Sequence, residues 1–418
     1  MAMHSPAMSL PADVLIRARA VETLYSGIPT QKAIAIRNGR IMAVSEDANQ
    51  LDYLIGDKTI IINKPESTVL PAFNDTHTHL IFAGLSQFDV PVHDVRDLGE
   101  LLGRLKHRAA VSSEGEWICT ATDWQEFNLK EKRLPTLKEL DTISTKHPIM
   151  VRRGGHNVVV NSVIIDMIGV TADTPSPPGG LIGKEKDGSL NGLFQDSALV
   201  LMESVKPSPN LEERIAGLEH ASASYAATGT GCVRDCFVSL ADLRVLKAAY
   251  DAGRLNVRVR ALVPTLGCTT AAQVEELLEK MEQWRCLQNE QWLSVWGVKF
   301  LVDGGIEAAA TKDPYVVVPP GQECCLPSGY HGITLWETSN LVEAMSVVIT
   351  RAWKIGTHAY GDKAISQVLD VYEILLQRFP FLQIGSLVLE HGGLASEQQQ
   401  QCYDPLDTPN RTHSVGRL

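Results

Sequence analysis

No two cysteines in the chain stand in a C-x-x-C spacing; the eight present are scattered at positions 119, 232, 236, 268, 286, 324, 325 and 402. A disulfide framework is not expected in a chain of this size, so a reducing cytoplasm is the default compartment. The opening MAMHSPAMSLPADVLIRARA has no basic segment followed by an apolar run, which argues against a secretory signal. No apolar run approaches the length needed to span a bilayer. Positive charge is short as well: 38 Lys and Arg against 49 Asp and Glu give a net charge of -11, with no basic stripe. That balance argues against a nucleic-acid surface, which needs clustered Lys and Arg. Neither GxGxxG nor GxxxxGK[ST] follows a strand-like run, and no internal repeat is visible.

The remainder is ordinary for a soluble globular protein, with 44% hydrophobic and 21% charged residues. A length of 418 residues can bury a large core, as one big domain or a main domain with a satellite. Residues 13–47 read as short strands around the turn pair Asn38-Gly39, a small all-β module assigned to 1–66. From 67 to 396 strand-like and helix-like runs alternate: GTGCVRD before LADLRVLKAAYDAG, RVRALV before AAQVEELLEKMEQW, and IGTHAYG before ISQVLDVYEILLQRF. Val274, Leu277, Leu278 and Met281 show the three- and four-residue spacing of a helix. Such alternation predicts a parallel sheet, as a (β/α)₈ barrel or a doubly wound fold. Residues 100–210 break the rhythm, with a helix-like LGELLGRLKHRAAV and strand-like WICTATDW and PIMVRRGG, and are read as an insertion on the barrel. Residues 397–418 form a polar tail without a strand pattern.

Residues i and i+2 of a strand share a face, so His77 and His79 in THTHL project together, as two imidazoles converging on one ion would need. Asp75 shares that face and could orient a ligand. An H-x-H pair alone is as often structural. Three later residues share its setting at the ends of apolar strands: Lys299 in WGVKFLVDG, His358 in IGTHAYGD and His391 in SLVLEH. A lysine inside such a strand is costly unless paired or neutralised. Each is ordinary alone; their joint occurrence at successive strand ends, where a TIM barrel keeps its active site, points to a metal site.

LPAFNDTHTHL resembles the P-G-F-x-D-x-H-x-H signature of the amidohydrolase superfamily. AIAIRNGRIMAV, HDVRDLGELLGRLK, RLPTLKELD, VRRGGHNVVVNS, GVKFLVDGG, HAYGDKAISQVLDVYE and LEHGGLAS extend the resemblance over nearly the whole chain, to the YtcJ-like branch (amidohydrolase family 3) that includes N-substituted formamide deformylases. The resemblance implies a TIM (β/α)₈-type barrel with strands at 68–79, 229–236, 257–263, 295–303, 355–359 and 386–391. It implies metal ligation by His77, His79, Lys299, His358 and His391, with Lys299 carboxylated and also catalytic, around one or two divalent ions, zinc being the expected one. A metal-activated water would then cleave a non-peptide C–N bond of a small amide or formamide. His156 matches a motif that reaches toward the site and is expected to bind substrate, with Asp123 and Trp124 lining the same entrance. Asp303, on the face of Lys299, is expected to hold the lysine or a ligand as part of the catalytic set. Asp362 reads as a helix N-terminal residue.

The resemblance ends at LEHGGLAS, and the implied last two barrel strands and final metal-binding Asp have no counterpart, so it implies a C-terminally truncated barrel of about six strands. Asp404 and Asp407 are the substitutes available for that Asp. Exposed edges of such a barrel would favour a homo-oligomer. The reading therefore carries an alternative, a catalytically impaired amidohydrolase relative without turnover.

Overall fold

The computed structural model describes residues 10–207, 209–316, 329–403 and 416–417. The chain divides into two units, Met1–Phe73 and Asn74–Leu418. In the first, β1 (Val14–Val21), β2 (Gln31–Arg37), β3 (Arg40–Ser45) and β4 (Ile60–Val69) form a four-stranded sheet in the order β3-β2-β1-β4. The β2–β3 hairpin turns at Asn38 and Gly39, at φ 48° and 69°, the left-handed pair that Asn-Gly accommodates. β4 adds to the expected strands; it lies parallel to β1 and takes up Thr68 and Val69, which the sequence assigns to the first barrel strand. Pro71, without an N–H to donate, separates the two, and the barrel strand proper is β5 (Phe73–Thr78).

Within 100–210 lies a sheet of its own. β6 (Ile118–Cys119), β7 (Ile149–Arg153), β8 (Asn157–Val160), β9 (Gly180–Lys184) and β10 (Leu190–Asp196) run in the order β6-β7-β8-β10-β9. The last three strands lie beyond the two expected runs. One face closes over Leu101, Leu105, Ile118, Leu140 and Val151, all inaccessible to solvent. β7 and β8 pair antiparallel around Gly154, Gly155 and His156, with Gly154 at φ 59°.

The barrel continues with β11 (Thr230–Asp235), β12 (Arg258–Pro264), β13 (Leu293–Leu301), β14 (Lys354–Ala359) and β15 (Leu387–His391), each parallel to the next. These bounds fall within a few residues of the expected ones. Helices Leu240–Asp251 and Ala271–Met281 start with reciprocal capping boxes, Ser239 with Asp242 and Thr270 with Gln273. Their apolar stripes cover the sheet: Val274, Leu278 and Met281 are fully buried. With β16 (Gly416–Arg417) beside β15 the sheet has seven strands, from β16 to β5, the arrangement of a partial TIM-type barrel.

The tail departs from expectation by forming a helix, Glu397–Tyr403, as well as β16. Ser396 and Gln399 exchange side-chain-to-backbone hydrogen bonds at its start, and the Gln399 amide donates to Asp362 O (2.7 Å). Asp404 and Asp407 lie outside the described residues. Among the described residues no helix is long and apolar enough to cross a membrane. Cys119, Cys232, Cys236, Cys268 and Cys286 are unpaired.

Candidate metal centre

Strand register brings the expected ligands to one end of the barrel. Leu301 pairs with His358, His358 with Glu390 and Ala359 with His391, so His358 and His391 stand at the C-terminal ends of adjacent strands. Lys299 pairs with Gly356 one layer deeper and is 3% exposed. His77 lies on β5, whereas His79 falls just past it, at the N-cap of helix Leu80–Ser86. The i, i+2 pair still converges: the two rings meet edge-on with centroids 5.4 Å apart. His77 is 4.5 Å from His391, and His391 is 4.7 Å from His358. His391 holds a left-handed backbone at φ 69°, a conformation that costs a side-chain-bearing residue on the order of 1–3 kcal/mol and clusters at functional sites.

Each of three imidazoles has a buried carboxylate beside it. His77 Nδ1 donates to Glu390 Oε2 at 2.6 Å, which leaves Nε2 with its lone pair. His358 Nε2 donates to Gly304 O at 3.0 Å and lies 3.3 Å from Asp303 Oδ1, which leaves Nδ1. His79 Nδ1 is 3.9 Å from Asp235 Oδ1, too long for a hydrogen bond, and is a buried atom without a partner. Lys299 Nζ is a second such atom, 3.8 Å from Glu390 Oε1.

These surroundings favour uncharged donors. Burial, then the neighbouring charges of His77 and Lys299, lowers His79 to about 3. Burial, then His358 and Lys299, lowers His391 to about 2. Burial also lowers Lys299, against the opposing pull of Glu390. Neutral imidazoles with free lone pairs, together with two buried nitrogens lacking partners, are a donor set that fits a divalent cation. His77, Cys236 and Glu390 also offer ligand atoms within 4.8 Å of one another. That trio suits an ion less well: burial pushes the Cys236 thiol up to about 12, and Glu390 is already engaged by His77 and Arg234.

The other expected residues separate. His156, in the β7–β8 turn, reaches the rim: its ring is 5.9 Å from that of His358, and Nδ1 donates to Asp196 Oδ1 at 2.8 Å. Burial opposes charging His156, but that bond and the charges of Asp196 and Glu307 outweigh it and raise its pKa. Asp196 itself is left-handed, at φ 49°. Trp124 does not line an entrance; it is a core side chain packed with Leu129 and Val151, its indole N–H donating to Arg152 O (2.6 Å). Asp123 is exposed, and no hydrogen bond or ion pair joins it to the histidines among the described residues. Of the two roles expected for Asp303, beside the lysine or beside a ligand, the position fits the second: it lies 3.3 Å from His358 Nε2 and fastens loops by accepting from the backbone N–H groups of Ala310 (3.0 Å), Tyr360 (3.0 Å) and Gly361 (2.8 Å). The physical reason is that β13 ends at Leu301, so the alternation that would align Asp303 with Lys299 has lapsed. Asp75 accepts the His77 N–H (3.2 Å), and Asp362 opens helix Asp362–Arg378.

Sequence reasoning missed Glu390, Arg234, Asp235 and Asp196. For three of them a signal was available: VRD and LEH place Arg234, Asp235 and Glu390 in strands with apolar runs, the same cue that marked Lys299.

A partial parallel barrel with imidazoles gathered at the C-terminal ends of its strands defines the architecture of the metal-dependent hydrolase fold. The amidohydrolase family profile matches residues 66–405, and the chain belongs to that family. Over 382 residues it is 28% identical to Protein LONG AFTER FAR-RED 3 of Arabidopsis thaliana, covering 88% of this chain and 62% of that protein. With N-substituted formamide deformylase of Arthrobacter pascens it shares 24% identity, over 94% of this chain and 71% of the relative. The chain thus spans less than two thirds of the Arabidopsis protein's length. Among solved structures, a metal-dependent hydrolase from Pyrococcus horikoshii superposes with a TM-score of 0.66 at 24% identity, covering 93% of this chain and 72% of that one, which shows the shared fold.

Proposed function

We propose that the chain is a metal-dependent hydrolase that cleaves a non-peptide C–N bond, of amide or formamide type, in a small molecule. The observation that carries the reading is the convergence of four imidazoles, His77, His79, His358 and His391, at the strand ends of a barrel that also buries Lys299 without a hydrogen bond. His77 Nε2, His79, His358 Nδ1 and His391 would hold one or two divalent ions, with zinc the expected one. A bound ion would polarise a carbonyl oxygen and make a water more acidic. Burial lowers the pKa of Lys299 and so favours the free amine that carbon dioxide needs to form a carbamate, an anion suited to divalent cations. Asp303 fixes the loops on either side of His358. His156, held by Asp196, is the substrate-contacting group at the rim. The formamide deformylase relative supports a C–N substrate.

Metal analysis of the purified chain, with a panel of N-substituted formamides and N-acyl amines, tests the reading. Stoichiometric zinc with turnover supports it, and a carbon-13 carbamate signal at Lys299 supports the modification. A folded, metal-free chain without turnover would instead favour the impaired homologue.

A further inference from the structure

Beside His77 the barrel interior holds a charged pair that ion binding alone does not require. Glu390 on β15 is inaccessible to solvent; one of its oxygens accepts from His77 Nδ1 (2.6 Å) and the other from Arg234 Nη2. Arg234 is fixed in turn. Its Nη1 donates to the backbone oxygen of Thr76 (2.9 Å), the residue before His77, and its guanidinium carbon lies 4.5 Å from the Trp296 ring centroid. The arginine therefore ties together the carboxylate and the segment that carries the imidazole. Gly356, on neighbouring β14, makes the space: a Cβ there would come within 2.6 Å of Glu390 Oε1 and 2.8 Å of Arg234 Nη2. A buried ion pair is a weak source of stability, so five strands contributing to one call for a further role.

We propose that Glu390, clamped by Arg234 in the space left by Gly356, is a positioning residue that fixes the tautomer and orientation of His77, reserving Nε2 for an ion. A carboxylate behind an imidazole ligand holds the proton on the nitrogen it faces and raises the basicity of the other. The consequence for ion binding rests on the metal-centre reading; the tautomer does not.

Histidine labelled with nitrogen-15 in the full chain gives the test, with His77→Gln identifying one signal set among the 12 histidines. In the metal-free wild type His77 is expected as the Nδ1–H tautomer, and Glu390→Gln and Gly356→Ala each shift it toward Nε2–H. Chelator competition then reads zinc affinity, expected to fall about 10–100-fold in both variants at unchanged stoichiometry. An Nε2–H tautomer in the wild type overturns the proposal, and so does a tautomer unchanged in both folded variants. Loss of a whole equivalent of zinc in Glu390→Gln alone would make Glu390 a ligand, which also overturns it. A wild type that binds no zinc yet shows the Glu390-dependent tautomer overturns the metal reading and leaves the positioning role in place.

Discussion

A Cβ on Gly305 would lie 2.8 Å from Cγ of His156, so the glycine after the Asp303-Gly304 turn is the surface on which the His156 ring rests. A Cβ on Gly304 would likewise approach Asp196 Oδ2 to 3.2 Å. Gly305→Ala is expected to cost about 1–3 kcal/mol by overpacking. In a His156→Ala background the same change should cost less than half as much, because the clash is gone. Urea denaturation of the four proteins measures the coupling, and equal costs in both backgrounds would show that the ring does not bear on Gly305.

Arg153 meets two carboxylates, the buried Glu126 of the insertion and the half-buried Glu307, through which it joins the inserted sheet to the loop after β13. Its Nε and Nη2 meet Glu126 at 2.7 and 2.8 Å, and Nη2 also meets Glu307. Arg153→Met strands both acids, and a loss of about 3–5 kcal/mol is expected. Breaking the exposed pair Lys146–Glu114 should change stability by about 0–1 kcal/mol. Adding Glu126→Gln and Glu307→Gln to Arg153→Met should recover much of the loss; a persistent deficit would point to packing instead.

Burial raises Asp235 to about 7, against backbone hydrogen bonds from Ile81 and Phe237 that lower it. Its folded pKa stands above the unfolded one, so the folded chain keeps a proton that the unfolded chain has released. The stabilisation is therefore present below about pH 4 and lost as pH rises toward 7, at up to roughly 1.4 kcal/mol per pH unit. Asp235→Asn removes that slope. Denaturation of the metal-free proteins should show the variant gaining on the wild type between pH 4 and 7, and parallel profiles would contradict the shift.

Lys299 is a buried amine without a hydrogen-bond partner, 3.8 Å from Glu390 Oε1. Lys299→Met should leave the metal-free chain as stable as the wild type or better by up to about 2 kcal/mol, since a buried amine that makes no hydrogen bond is replaced by an apolar chain of similar length, and Glu390 keeps its bonds to His77 and Arg234. The zinc response should move the other way. Ligand at one hundred times its dissociation constant stabilises a folded chain by about 2.7 kcal/mol, and the variant should lose most of this at the same zinc concentration. Calorimetry with zinc and with chelator separates the two effects. A variant that keeps the full zinc response would remove Lys299 from the centre.

The barrel strands were legible because each is a short apolar run closed by a polar residue. His358 and His391 were found by the same punctuation. β4 and β9 escaped for different reasons: IIINKPESTV mixes apolar and polar residues without clean alternation, and GLIGK is too short and glycine-rich to carry a pattern. Trp124, expected at the entrance with His156, instead has its indole N–H satisfied inside a core. Glu390 was hidden by its neighbour. Once His391 is read as the end of LEH, the acid before it passes as the outward-facing position, yet it turns out to touch His77, 313 residues away in sequence. Only the closure of the sheet brings β15 and β5 within reach of each other.

The central claim is most directly tested by a crystal structure of the zinc-loaded chain with anomalous scattering recorded at the zinc edge. At least one ion is expected with imidazole nitrogens of His77 and His79 at about 2.0–2.1 Å, and Lys299, His358 and His391 around it. Anomalous density confined to other residues, or none in a folded chain soaked with zinc, would contradict it.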